Sequence, residues 1–241
     1  MARGWRIEER TGSAATLHEA WPTIAGGRAG RAIATCRVAA PAVVLGSTQQ
    51  LSVVDAERAA LAGVAVARRR SGGGAVLVTP DDPVWVDAWI PRDDPLWSDD
   101  VSRAFDWVGD TWGRALESLG IAGVSVHRGG LAACTSWSSL ICFGGVGTGE
   151  VLDAEGRKVV GISQRRTRVG AWFHGACLRR WEPGPLLDVL ALEPEQRLAA
   201  QSELADAAAG IDQLRAGGPK RIGVDAESIV TEFIKALPPG G

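Results

Sequence analysis

The amino-acid sequence predicts an α+β protein in which a mixed β-sheet is flanked by helices. Several short apolar stretches bounded by Gly, Pro or Asp are typical of strands, and residues 101–119 show the periodicity of a long helix. Strands and helices do not alternate in the regular order of a doubly wound parallel sheet. With 241 residues, 46% of them hydrophobic, the chain is long enough for a substantial core. We therefore expect residues 1–241 to form one domain.

The overall charge and the four cysteines exclude several classes of protein. The formal net charge of −2 does not favour a nucleic-acid partner. No apolar run reaches the roughly 18 residues of a membrane span, and the N-terminus lacks the apolar core of a secretory signal, so we expect a cytoplasmic protein. Cys36, Cys134, Cys142 and Cys177 form no CxxC pair and no Cys/His zinc pattern. Free thiols and no bound metal ion are the simplest interpretation.

The elements are predicted in the following order along the chain. Strands are expected at residues 31–38, 43–45, 64–67, 75–78, 84–90, 124–126, 140–143, 159–162 and 172–178. Helices are expected at 56–62, 101–119, 195–209 and 225–237. Asp55 and Asp225 are positioned to cap the first and last of these helices. A Gly-containing linker at 210–223 separates the last helix without defining a second domain.

A glycine-rich segment between two predicted strands is the first candidate site. Residues 68–74 read RRRSGGG. Consecutive glycines let a backbone approach a ligand closely and offer N–H groups to it, and arginines pair with phosphates or carboxylates. The spacing matches neither a Walker sequence nor the dinucleotide fingerprint. A flexible turn with solvated arginines is also compatible with the segment.

The second candidate site combines a lysine with a cysteine sixteen positions earlier. Lys158 begins a strand in the segment EGRKVVGISQRR (155–166), Gly161 leaves room for a ligand on that strand, and Gln164 can bond an amide or a phosphate. If residues 140–143 pair with this strand, Cys142 lies beside Lys158, and a nearby ammonium favours a nucleophilic thiolate. A solvated surface lysine and a buried packing cysteine are the structural alternatives.

The three histidines give weaker signals. His174 precedes Gly175 in an apolar strand, where a single histidine is more often a core residue than a catalyst. His18 and His127 give no more than that. No Ser–His–Asp set is identifiable in the sequence.

Four segments of the sequence together resemble the lipoate–protein ligase and octanoyltransferase family, which is related to biotin–protein ligases. The resemblance extends from Pro41 to Leu178 and rests on PAVVLGSTQQ (41–50), GVAVARRRSGGGAV (63–76), EGRKVVGISQRR (155–166) and FHG (173–175). It implies a biotin/lipoate protein ligase-like catalytic domain. It also implies that the chain attaches a lipoyl or octanoyl group to a lysine of a carrier domain. Such carriers are the E2 subunits of 2-oxoacid dehydrogenases and the glycine cleavage H protein.

The resemblance also implies roles for individual residues. Lys158 matches the essential lysine of the family, which contacts the acyl carbonyl and phosphate and stabilises developing charge. Cys142 matches the nucleophile of one octanoyltransferase branch. The family's remaining substrate- and cofactor-binding positions correspond to Arg69, Ser71, Gly72, Gly73, Gly74, Ala75, Gly161, Gln164, His174 and Gly175.

Two chemistries are compatible with this resemblance. A ligase activates lipoate with ATP and Mg²⁺ and transfers the acyl group from lipoyl-AMP, and the triple glycine places this route first. A transferase needs no cofactor, because it takes the acyl group from an acyl carrier protein and holds it on Cys142 as a thioester. A non-catalytic lipoate-binding relative is a third alternative.

The sequence departs from the family pattern at three places. Val78-Thr79 replaces a His-Asp pair, and Gly149-Glu150 replaces the Asn-Asp pair of ligases. The segment after His174 is short for the accessory C-terminal domain of ligases. We expect that domain to be absent, and a separate subunit would have to supply its role.

Overall fold

The computed structural model describes residues 4–19, 30–214 and 224–239. Within these ranges the strands are β1 (Trp5–Gly12), β2 (Arg31–Val38), β3 (Ala42–Leu45), β4 (Ala65–Arg68), β5 (Val76–Val78), β6 (Val84–Pro91), β7 (Ser125–Val126), β8 (Ala132–Ala133), β9 (Gly145–Val146), β10 (Val151–Leu152), β11 (Lys158–Arg166) and β12 (Gly170–Cys177). The α-helices are α1 (Ala14–Glu19), α2 (Ala56–Leu61), α3 (Asp106–Ser118), α4 (Gly184–Val189), α5 (Pro194–Leu204), α6 (Ile211–Leu214) and α7 (Ala226–Lys235). Short 3₁₀-helices occur at Leu51–Val53, Arg103–Phe105 and Cys142–Gly144. No helix in the described ranges is long and apolar enough to cross a membrane.

A seven-stranded mixed sheet forms the centre of the fold. Its strand order is β1-β2-β6-β12-β11-β10-β7. The pair β1/β2 is parallel, and the other pairs are antiparallel. A second sheet of order β4-β3-β5 contains one parallel and one antiparallel pair. The prediction of an α+β protein with a mixed sheet flanked by helices is therefore confirmed.

Helices α3 and α7 cover one face of the large sheet. Val108, Trp112 and Leu116 recur at every fourth position of α3 and are all buried, as expected of the apolar stripe of a surface helix. They pack against strand residues such as Phe173 of β12. The predicted N-cap of α7 is confirmed, because the Asp225 carboxylate accepts a hydrogen bond from the Ser228 N–H at 2.7 Å.

The opposite face of the large sheet is turned toward the small sheet. Successive residues of a strand point to opposite faces, so Phe173 of β12 contacts the helices while His174 points the other way. The strand register places His174 between Ser163 of β11 and Asp87 of β6. All three side chains consequently lie on the face that looks toward β3 and β5.

Most predicted elements are present within a few residues of their expected bounds, but the prediction of one strand was wrong. Residues 140–143 form no strand: Ile141 makes an isolated bridge to Ala75, and the chain then turns into a 3₁₀-helix. A short apolar run does not distinguish a strand from another buried segment. The sequence analysis also missed strands β1, β8, β9 and β10 and helices α1 and α4. The predicted linker at 210–223 contains α6, and residues 215–223 lie outside the described part of the chain.

Backbone packing brings the glycine-rich segment against the segment that carries Cys142. The Ala75 N–H donates to the Leu140 carbonyl at 2.7 Å, and the Cys142 N–H donates to the Ala75 carbonyl at 2.9 Å. A Cβ on Gly74 would lie 2.6 Å from the Ile141 carbonyl carbon and 2.7 Å from the Cys142 nitrogen. Gly74 is therefore required by a neighbouring backbone segment, which cannot shift without moving Cys142.

We expect Gly74→Ala to lower the free energy of unfolding by about 1–3 kcal/mol, the usual cost of overpacking. Gly72→Ala is the matched control, because a Cβ there has no neighbour within 4 Å. Urea titration of both variants measures the difference. Equal stability of the two variants would contradict the proposed packing role of Gly74.

Candidate active site

A cavity of about 50 Å³ lies between the two sheets. Strands β6, β11 and β12 form one side, strands β3 and β5 form the other, and α1 contributes one side chain. Its lining consists of His18, Val44, Arg69, Val76, Val78, Pro83, Trp85, Cys142, Phe143, Gly161, Ile162, Ser163, His174, Gly175 and Ala176. The structure thus brings five predicted site residues to one cavity: Arg69, Cys142, Gly161, His174 and Gly175.

The ammonium group of Lys158 is buried beside this cavity, and the residue is only 2% exposed. Its Nζ forms an ion pair with Glu150 Oε2 at 2.7 Å. It also donates to the main-chain oxygens of Cys142 at 2.8 Å and Gly145 at 3.1 Å. Three acceptors thus match the three donors of an ammonium. Burial opposes the charge, but the nearby Cys142 and Glu150 outweigh it and raise the pKa of Lys158 above its ordinary value.

Glu150 is a site residue that the sequence analysis did not single out. It is 4% exposed. Besides the ion pair with Lys158, its Oε2 accepts the Gly147 N–H at 2.6 Å and its Oε1 accepts the Ile162 N–H at 3.0 Å. The only sequence signal for Glu150 was that Gly149-Glu150 occupies the position of the Asn-Asp pair of ligases.

The Cys142 thiol is partly buried and lies in the cavity wall. It shares this wall with Arg69, and the Lys158 ammonium lies 2.8 Å from the Cys142 main-chain oxygen. The predicted reason for this proximity was wrong, because β11 pairs with β10 and β12 rather than with residues 140–143. The structure nevertheless brings Cys142 and Lys158 together, through the hydrogen bond from Nζ to the Cys142 carbonyl.

Arg69 holds the glycine-rich segment in shape. Its guanidinium donates to the carbonyls of Gly72 at 2.9 Å, Gly74 at 2.8 Å and Val44 at 3.2 Å. Burial lowers the pKa of Arg69, although nearby Cys142 and Glu150 act in the opposite direction. An arginine nonetheless stays charged in proteins. Arg69 therefore places a fixed positive charge beside the Cys142 thiol.

Three small residues, Ser71, Ser163 and Gly161, lie where the glycine-rich segment, β11 and Lys158 meet. The Ser71 and Ser163 hydroxyls share a hydrogen bond of 2.8 Å, which joins the loop to β11. A Cβ on Gly161 would lie 3.2 Å from both Lys158 Cε and Phe143 Cζ. Gly161 therefore leaves room for the lysine side chain as well as for the cavity.

The other predicted binding residues lie outside this cavity or contribute backbone only. Gln164 pairs with Phe173 in the sheet register and so faces the helices; its amide nitrogen is buried without a hydrogen-bond partner in the described residues. A Cβ on Gly175 would lie 2.6 Å from Trp112 Nε1, so a side chain at this position would point at Trp112. Gly72 and Gly73 are exposed, while Ala75 is buried and lines a second cavity.

The second cavity adjoins the first and is larger, with a volume of about 220 Å³. Val76 and Phe143 line both cavities. Its other walls include the apolar side chains of Leu77, Leu178 and Trp181. The two spaces therefore adjoin at Val76 and Phe143.

A buried His–Asp pair faces the first cavity, although the sequence lacks the His-Asp pair expected after the glycine-rich segment. Asp87 of β6 accepts hydrogen bonds from His174 Nδ1 and from the Trp85 indole nitrogen. The sequence analysis missed Asp87. Its only signal was one carboxylate within the otherwise apolar segment VWVDAWI, and the pairing depends on the register between β6 and β12.

His18 of α1 completes this cluster and was also missed as a site residue. The centre of its ring lies 4.6 Å from that of Trp85 and 5.0 Å from that of His174. Its Nδ1 is buried without a hydrogen-bond partner in the described ranges. Burial, reinforced by repulsion from His174 and Arg69, lowers the pKa of His18 to about 2. The ring is therefore neutral at physiological pH.

The carboxylates near the cavity do not fit a protein-bound Mg²⁺ ion. Mg²⁺ is usually held by one or two carboxylates together with substrate phosphates. Both oxygens of Glu150 are engaged by Lys158 and two main-chain N–H groups, and Asp87 is engaged by His174 and Trp85. In addition, the described residues contain no cluster of three or more His, Cys, Asp or Glu suited to a metal ion.

Comparison with known proteins identifies the class and then the family of this chain. A buried lysine and a thiol at a cavity between two sheets suit an enzyme that transfers a small organic group. Residues 22–236 match the lipoyl protein ligase A/B catalytic domain. The chain belongs to this family, and it is an enzyme. The alternative of a non-catalytic relative is therefore not retained.

Solved structures support the fold assignment. A bi-partite lipoate protein ligase from Thermoplasma acidophilum, studied with its E2 lipoyl domain, has 17% identity and a TM-score of 0.72, covering 97% of this chain and 82% of that one. A lipoate-protein ligase A bound with ATP has 18% identity and a TM-score of 0.68, with 98% and 84% coverage. LipL1 of P. falciparum in complex with lipoate has 14% identity and a TM-score of 0.53, with 97% and 70% coverage. No curated protein matches the chain.

We expect the Lys158–Glu150 pair to be strongly coupled in stability. Because removal of one partner leaves a buried charge uncompensated, Lys158→Met and Glu150→Gln should each cost about 3 kcal/mol. The double variant should lose about 1–3 kcal/mol less than the sum of the two. Denaturant unfolding of the four proteins measures this coupling.

The exposed pair Lys235–Glu232, also 2.7 Å apart, provides a matched control. Lys235→Met and Glu232→Gln should show a coupling of at most about 0.5 kcal/mol. Additive effects at Lys158 and Glu150 would show that their ion pair does not stabilise the fold.

We also expect His18 to make stability depend on pH. Its pKa is about 6.5 when unfolded and about 2 in the native protein, so only the unfolded state binds the proton below pH 6.5. The stabilisation is therefore fully present above pH 6.5 and is lost as pH falls, by up to about 1.4 kcal/mol per pH unit. Between pH 7.5 and 5.0, the protein should lose about 2 kcal/mol more than a His18→Phe variant.

Urea unfolding at the two pH values measures this difference. His127→Phe serves as the control, because His127 lies outside the cavity and its Nε2 is bonded to the Gly130 carbonyl. Parallel pH dependence of the protein and its His18→Phe variant would contradict the neutral state of the buried ring.

Proposed function

We propose that the enzyme transfers an octanoyl or lipoyl group to a lysine of a lipoyl carrier domain through a thioester on Cys142. One observation carries the proposal. The Cys142 side chain lines an apolar cavity together with Arg69, and the ammonium of Lys158 is hydrogen-bonded to the Cys142 main-chain oxygen at 2.8 Å. Adjacent positive charge favours the thiolate, which is the nucleophilic form of cysteine.

The acyl chain is expected to occupy both cavities. A protein cavity of about 150 Å³ binds benzene, so the first cavity, of about 50 Å³, is too small for an eight-carbon chain. Displacement of the Val76 or Phe143 side chain would join it to the second cavity of about 220 Å³. Each buried CH₂ would then contribute about 0.8 kcal/mol to binding.

The proposed reaction has two acyl-transfer steps. In the first, the Cys142 thiolate attacks the thioester carbonyl of the acyl carrier protein, and the thiolate of the acyl carrier protein leaves. In the second, the amine of the acceptor lysine attacks the Cys142 thioester, and the Cys142 thiolate leaves. The charges of Lys158 and Arg69 stabilise negative charge that develops on the carbonyl oxygen or sulfur. Acceptors of this class are the E2 lipoyl domains and the glycine cleavage H protein.

A ligase route through lipoyl-AMP is the second candidate. It is favoured by the exposed glycines Gly72 and Gly73 and by the fold shared with a lipoate-protein ligase A bound with ATP. In this route, the N–H groups of Gly72 and Gly73 would hold the phosphate of lipoyl-AMP. Because a structural neighbour is described as a bi-partite ligase, a separate accessory subunit is a reasonable partner for ATP-dependent activation.

We expect a mass increase of one octanoyl group when the purified protein is mixed with octanoyl carrier protein in the absence of ATP. The adduct should be removed by hydroxylamine and should map to Cys142. Cys142→Ser should form no such adduct, because an alkoxide is not available from serine under these conditions. Cys134→Ser is the control, since Cys134 is exposed and outside the cavity, and it should be acylated normally. Intact-protein mass spectrometry measures all three.

The ligase route predicts a different pattern. With lipoate, Mg-ATP and a lipoyl domain, Cys142→Ser would then lipoylate the acceptor as fast as the unmodified protein does. That result, together with no adduct on Cys142, would overturn the thioester route.

A further inference from the structure

We infer that His174, oriented by Asp87, is the general base that accepts the proton of the acceptor lysine. The inference rests on the proposed transfer to a lysine but not on which acyl donor is used. It assigns the proton transfer to His174 rather than to Lys158.

A base is needed because the acceptor is protonated at neutral pH. A lysine side chain has an ordinary pKa of about 10.4, and its ammonium form has no lone pair with which to attack a carbonyl. A positioned base that removes this proton typically contributes a factor of about 10²–10⁴ in rate.

Lys158 is not suited to this role. All three of its donors point at protein acceptors, namely Glu150 Oε2 and the carbonyls of Cys142 and Gly145. The ammonium of the acceptor lysine would therefore meet a positive charge on Lys158 rather than a lone pair. The raised pKa of Lys158 agrees with this geometry. Lys158 therefore acts as a fixed charge.

The other titratable groups in the cavity wall are also unsuitable. Arg69 does not deprotonate in proteins. Cys142 carries the acyl group at this stage of the reaction. His18 has a pKa of about 2 and thus a very weak tendency to accept a proton. Among the described residues that line the cavity, His174 is the remaining candidate.

The surroundings of His174 suit a base. Its Nδ1 is hydrogen-bonded to the buried Asp87 carboxylate, and a proton on Nδ1 places the ring's lone pair on Nε2. Asp87 is fixed in turn by the Trp85 indole N–H. A carboxylate in this position selects the tautomer and stabilises the imidazolium that forms, as in Ser–His–Asp enzymes. The neutral His18 ring at 5.0 Å adds no competing charge.

The step balances without any further reactant. The acceptor ammonium gives one proton to His174 Nε2, and the resulting amine attacks the Cys142 thioester. The new C–N bond forms and the C–S bond breaks. After attack, the amide nitrogen loses its second proton, and the Cys142 thiolate and His174 return to their starting states by proton exchange with each other and with water.

Two nucleophiles distinguish a base from a structural residue. The Cys142 octanoyl thioester is formed first, and its discharge is followed with a lipoyl domain or with hydroxylamine, an amine that is already uncharged at neutral pH. We expect His174→Gln to slow transfer to the lipoyl domain at least 100-fold but to change discharge to hydroxylamine less than threefold. Asp87→Asn should show the same pattern, and His127→Gln should show neither effect.

The opposite results would overturn the inference. If His174→Gln slows discharge to both nucleophiles equally, His174 orients the thioester rather than accepting a proton. If it leaves the rate of transfer to the lipoyl domain unchanged, His174 has no role in the transfer. If His174→Gln does not fold, Asp87→Asn is decisive in the same assay. If the unmodified protein forms no Cys142 thioester, the thioester route fails separately. Synthetic octanoyl-AMP then replaces the thioester, and the same two nucleophiles test His174.

Discussion

The buried ammonium of Lys158 is the constraint on which the rest of the site depends. Removing an ion from water costs several kcal/mol after relaxation, and the cost is offset only where partners are close and well placed. Here the partners are Glu150, Cys142 and Gly145, all from the segment that precedes β11. That segment is therefore held around the ammonium, which explains why Cys142 lies at the cavity in the absence of the strand pairing predicted for it.

The sequence predicted that Lys158 and Cys142 lie side by side, but it did not predict the structural reason. Lys158 and Cys142 were identified from their motifs, and the structure places them together. The glycine-rich segment was interpreted as a ligand cradle, yet Gly74 is required by the backbone of residues 141–142, and Arg69 binds carbonyls of the loop itself. A glycine that accommodates a ligand and a glycine that accommodates a neighbouring backbone segment look identical in a single sequence.

Residues that act in pairs were not predictable in this way. Asp87 and His174 are 87 positions apart, and only the register between β6 and β12 brings them together. His18 belongs to α1, a short helix that the sequence analysis missed. It follows β1, whose sequence WRIEERTG carries four charged residues in eight. Such composition hides an edge strand, because burial on one side only leaves few apolar positions to recognise.

The geometry separates two roles that a single lysine would otherwise have to fill. A group whose three donors are all bound to the protein is a stable positive charge, but it cannot alternate between proton donor and acceptor during turnover. A histidine held by a carboxylate can do so, because one nitrogen of a neutral imidazole donates a proton and the other accepts one. The acyl donor differs between the thioester and adenylate routes, whereas the acceptor is a protonated lysine in both. The His174–Asp87 pair therefore serves the half of the reaction that the two routes share, and the choice between them depends on Cys142 and on the exposed glycines alone.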